Sequence, residues 1–101
     1  DVTLDPEDLL RVARGFEEEG RPSDASRAYE AYGRRYPEAP GALTALLKCA
    51  EIERKTLNNP GRARFIYQEV MTRRLPPDVE SITRERMRVT EEALARERGA
   101  A

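Results

Sequence analysis

"ASRAYEAYGRRYPEAP", residues 25–40, decides how this chain is read. Tyr29, Tyr32 and Tyr36 follow at intervals of three and four, so on a helix they share one face. Exposed beside Arg27, Arg34 and Arg35, that stripe would be a stacking platform. Turned inward, it is core. Aromatic platforms for nucleic acid work on a positively charged surface. The chain carries 18 basic and 19 acidic residues, a net charge of −1. Tyr29 and Tyr32 are therefore expected inside, with Tyr36 at the helix end before Pro37.

Working outward, apolar residues keep a helical spacing almost everywhere, and no segment alternates as a strand does. The punctuation predicts five helices. The first opens at Asp5-Pro6 with an acidic first turn and ends at Gly20. The second runs from Arg21-Pro22 to Pro37. The third spans about 40–56 and is apolar on two sides. Leu43, Leu46, Leu47 and Ala50 form one side, and Ala42, Ala45, Cys49 and Ile52 the other, so neighbours are expected on both. The fourth begins at Asn59-Pro60, with Asn59 as its cap, and ends before Pro76-Pro77. The fifth spans about 78–98. Its thin stripe of Val79, Ile82, Val89 and Ala93 is interrupted by Arg86. Short connections make consecutive helices antiparallel neighbours in an all-α array.

Two helix pairs share a pattern. Leu9-x2-Val12-Ala13-x2-Phe16 is followed by Ala25-x3-Tyr29-x2-Tyr32-x4-Pro37. Leu43 comes 34 residues after Leu9 and begins Leu43-x2-Leu46-Leu47-x2-Ala50, followed by Ala63-x3-Tyr67-x2-Val70 and Pro76. This pattern resembles the tetratricopeptide repeat, whose period is also about 34 residues. Ala63 follows Ala25 by 38 residues, so the second unit is expected to be one helical turn longer. Leu47 stands where the family places a small residue. The resemblance implies a single domain: an α-solenoid with one repeat over 6–37, a second over 40–77, and a capping helix over 78–98.

Composition narrows the chemistry. The 101 residues include no histidine, which removes His-based acid–base catalysis and most metal sites. Cys49 is the lone cysteine, so no internal disulfide forms. Between apolar helix neighbours it reads as a small buried side chain, not a nucleophile. The acids Glu17, Glu18 and Glu19 read as a solvated helix end. "NNPGRAR", residues 58–64, is a helix start and not a phosphate loop. No enzyme activity, cofactor or metal is expected.

The halves differ in charge: residues 1–50 hold 7 basic and 10 acidic groups, residues 51–101 hold 11 and 9. Neither imbalance calls for nucleic acid, and the arginines of the last two helices read as a charged exterior. No apolar run reaches membrane-spanning length, so direct insertion is not expected. A single cysteine without a signal-peptide pattern fits the cytoplasm. The chain begins at Asp1 without a methionine, which suggests a piece of something longer.

The resemblance also implies where a partner would lie: in a groove lined by the first helix of each pair. That face carries Glu7, Leu10, Arg14 and Glu17 on the first helix, and Lys48, Ile52 and Lys55 on the third. Leu10 and Ile52 are expected as exposed apolar points, while Arg14, Lys48 and Lys55 are placed to receive a carboxylate. The implied function is a non-enzymatic scaffold that holds a peptide or helix of another protein. The alternatives are a self-assembling module, since two repeats bury little core, or an accessory domain of a larger membrane or regulatory protein.

Overall fold

A computed structural model describes residues 5–100. Five α-helices follow in order: α1 (Pro6–Glu18), α2 (Pro22–Arg35), α3 (Ala42–Glu51), α4 (Pro60–Met71) and α5 (Pro77–Ala100). A π-helical turn, Ile52–Thr56, continues α3. No strand occurs among the described residues.

The helix ends follow from local chemistry. Asp5 caps α1 by accepting the Asp8 amide at 3.0 Å, and Pro6, Glu7 and Asp8 fill the first turn, where the helix dipole favours acids. At the other end Gly20 takes φ +73°, a left-handed conformation that costs a glycine little. The Arg21 and Gly20 amides then reach back to the carbonyls of Phe16 (2.9 Å) and Glu17 (3.2 Å), closing a Schellman motif. Prolines open α2, α4 and α5, where a missing N–H costs nothing. Asn59, expected to cap α4, does not. Its side-chain amide turns instead toward the Glu53 carboxylate, a long contact of 3.4 Å.

Irregular helix prolongs α3. From Leu43 to the end of the π turn at Thr56 is four residues longer than from Leu9 to the end of α1 at Glu18. The Leu57 amide closes the wide turn onto the Ile52 carbonyl at 2.9 Å. Asn58, at φ 51°, then reverses the chain.

Each helix packs chiefly on its sequence neighbours, and the π turn touches both α2 and α4. The core gathers Leu9 and Ala13 from α1, and Ala25, Tyr29 and Tyr32 from α2. Leu46, Cys49 and Ala50 join them from α3, and Ile66, Tyr67 and Val70 from α4. Tyr29 and Tyr32 are only 2% and 5% exposed, so the stripe is core. Tyr36 is half-buried against the same cluster, its ring 5.9 Å from that of Tyr32. Both sides of α3 are covered, as its two apolar faces require; Leu43 and Leu47 pack on the cluster half-buried. The tightest approach is α2 on α3. A Cβ on Gly33 would lie 2.5 Å from Leu46 Cγ.

The packed face of α5 differs from the expected stripe. Ile82 is 47% exposed, while Thr83 and Thr90 are fully buried and Met87 packs on the core. The threonine hydroxyls donate to the Val79 and Arg86 carbonyls one turn back, both at 2.7 Å, so only their methyls need apolar company.

Two acids, Glu51 half-buried and Glu53 buried, tie the elements together. Glu51 accepts the Tyr67 hydroxyl and pairs with Arg54 and Arg86, each at 3.0 Å, and with Lys55 at 3.5 Å. Burial raises the Glu51 pKa, but the Arg54 and Tyr67 bonds and the charge of Arg86 outweigh it and hold the carboxyl below its usual range. Arg86, which interrupts the apolar stripe of α5, is thus the link from α5 to α3. Glu53, on the π turn, is 6% exposed. It accepts the Ser26 hydroxyl at 2.5 Å, joining the π turn to α2.

Candidate functional site

An open cleft of about 600 Å³ runs along α1 and α3. α1 contributes Leu10, Arg14, Glu17 and Glu18; Gly41 and, from α3, Thr44, Ala45 and Lys48 face them; Tyr29 of α2 stands behind. Helical spacing accounts for the set. Leu10, Arg14 and Glu17 are four and three apart on one side of α1, and on α3 Thr44 and Ala45 lie four and three residues before Lys48. At one end the cleft meets an apolar mouth of about 580 Å³, lined by Asp5, Pro6, Glu7, Tyr32, Ala39 and Pro40, with Leu10 and Gly41 shared. At the other end Glu17 also borders a smaller hollow of about 320 Å³ beside Gly20, Pro22, Ile52 and Thr56.

The cleft's charges are unevenly satisfied. Lys48 Nζ lies 3.1 Å from Glu17 Oε2 and 5.7 Å from the centre of the Tyr29 ring. The Tyr29 hydroxyl donates to Glu17 Oε1 at 2.7 Å. That hydrogen bond, helped by Lys48 against the opposing effect of burial, holds the Glu17 carboxyl below its usual range. Burial and the neighbouring Glu17 push the Tyr29 hydroxyl well above the usual phenol range. Glu17, Tyr29 and Lys48 are therefore a closed set joining three helices. Arg14 is different: it is exposed and makes no hydrogen bond or ion pair with another described residue. Glu7, at the mouth, is likewise exposed and unpaired among the described residues.

The structure brings four of the six expected groove residues, Leu10, Arg14, Glu17 and Lys48, into one cleft. Their roles differ from expectation. Lys48 is already neutralised by Glu17, which leaves Arg14 as the cation with spare donors. Ile52 is a correction: it is not an exposed apolar point. It is 8% exposed and belongs to the core, because the π turn carries it against α2 and α4. Lys55 is exposed but lies outside the cleft, paired with Glu51. Glu7, expected on the groove face, does border the mouth, whereas Thr44 and the place of Asp5 beside it were not singled out by sequence. They become visible only once Leu10 is placed beside Gly41.

Elsewhere the chemistry is structural. Cys49 is fully buried, with its sulfur 3.3 Å from Ser26 Oγ, and burial pushes its thiol up to about 11. Glu19 pairs loosely with Arg21 at 3.7 Å. Among the described residues, no cluster of His, Cys, Asp or Glu is placed to hold a metal ion. No helix among them is long and apolar enough to cross a membrane. No protein-family model matches the chain, and no curated protein or solved structure matches it either.

Proposed function

We propose that this chain is a non-catalytic binding module, a tetratricopeptide-like stack of two helix pairs and a terminal helix, whose α1/α3 cleft holds a segment of a partner protein. The observation that carries the proposal is the cleft itself. It has an apolar stretch at Leu10, Tyr32, Ala39 and Pro40, with charged groups placed along it. Concave sites of this make-up, apolar with a few placed polar groups, are the usual seats of ligands.

Two sets of contacts support the stacked arrangement. The Glu17–Lys48 pair joins α1 to α3 across 31 residues, and the Arg62–Glu30 pair joins α4 to α2 across 32. The pairings also advance together. The mouth matches residues 5–10 with 39–41, the cleft 10–18 with 41–48, and the far hollow 17–22 with 52–56. On α2 and α4, Glu30 meets Arg62 and Arg34 meets Glu69. Like helices side by side at a near-constant offset are what a stacked repeat produces.

Site-directed photo-crosslinking tests the proposal. A benzophenone side chain replacing exposed Thr44 in the cleft should give a discrete adduct with one partner in native lysate. The same group at exposed Ala95 on α5 should not. Matching adduct patterns from the two positions, or none from Thr44, would reject the cleft as the binding surface.

A further inference from the structure

We draw no further inference here: the strongest candidate, the exposed uncharged ridge of Gly61, Phe65, Gln68 and Thr72 along the outer face of α4, whose aromatic side chain is 53% exposed, is an unpartnered helix face, and nothing in the structure shows what covers it.

Discussion

Gly33 and Gly15 are both glycines inside helices, and the structure gives them opposite fates. In an exposed helix, replacing glycine with alanine stabilises by about 0.8–1 kcal/mol. At Gly15 a new Cβ would meet nothing within 4 Å, so Gly15→Ala should raise stability by about that amount. At Gly33 the same Cβ would sit 2.5 Å from Leu46 Cγ, 2.7 Å from Cδ2 and 3.1 Å from the Ala42 carbonyl oxygen. Leu46 is fully buried and has nowhere to swing, and the carbonyl is backbone. Overpacking of this kind costs about 1–3 kcal/mol, which outweighs the helix-propensity gain. Gly33→Ala should therefore lower stability by up to about 2 kcal/mol net, or up to about 16 °C in melting temperature at roughly 4–8 °C per kcal/mol for a domain of this size. Urea unfolding followed by circular dichroism gives both values. A double-mutant cycle with Leu46→Ala isolates the collision. Leu46→Ala alone should cost about 2–5 kcal/mol, and in its background Gly33→Ala should become neutral or stabilising. If Gly33→Ala matched Gly15→Ala in sign and size, α2 and α3 would not touch as described, and the core built on that crossing would be wrong.

Other consequences are as direct. Glu53→Ala should cost about 2–3 kcal/mol, because the buried Ser26 hydroxyl loses its carboxylate acceptor at 2.5 Å; Glu53→Gln, which keeps an oxygen there, should cost less, and equal losses would show that shape alone matters. Stability should also fall at both ends of the pH scale. The lowered carboxyls of Glu17 and Glu51 contribute above the usual carboxylate pKa, and that contribution disappears as pH drops below about 4. The raised Tyr29, Tyr67 and Cys49 contribute below their usual pKa values, and their contribution disappears as pH climbs above about 8.5. Thermal melts from pH 3 to 10.5 should give a plateau between; a melting temperature unchanged from pH 8 to 10.5 would contradict the burial of these groups. Cys49 should react with a thiol reagent only as denaturant unfolds the chain, and prompt reaction in buffer would place its sulfur at the surface.

The helix ends at Pro6, Gly20, Pro22 and Pro60 were readable because proline and glycine constrain the backbone by covalent geometry, whatever packs on them. The inward placement of Tyr29 and Tyr32 was readable because periodicity and the lack of positive charge agreed. The spacing from Ala25 to Ala63 called for extra chain before α4, but not for its π form, since residue pattern does not separate one extra α turn from a wide one. That same wide turn defeated the placement of Ile52, because a projection at 3.6 residues per turn fails where the helix changes pitch. Thr83 and Thr90 escaped notice because threonine counts as polar until its hydroxyl finds a carbonyl in its own helix. Glu53 gave no signal at all: a buried acid and a solvated acid look identical in sequence, and the difference rests on Ser26, 27 residues away. At the cleft, sequence placed Leu10, Arg14, Glu17 and Lys48 on faces that do line one cleft. Which cation was free depended on a contact between α1 and α3 that only the folded chain reveals.

The carboxylate of Glu51 has a consequence for how the molecule breathes. It holds Arg54 of the π turn, Tyr67 of α4 and Arg86 of α5 at once. Arg54 is half-buried, and its buried Nε has no hydrogen-bond partner among the described residues. If α5 swung away, Arg86 would leave, and the acid would face the tyrosine and the remaining arginine with its charge balance changed. Local opening of the last helix is thereby coupled to loosening of α4 and the π turn. The amides of α5 around Arg86 should exchange with solvent in step with those of α4, as one cooperative unit, while fraying is confined to the turns beyond Thr90.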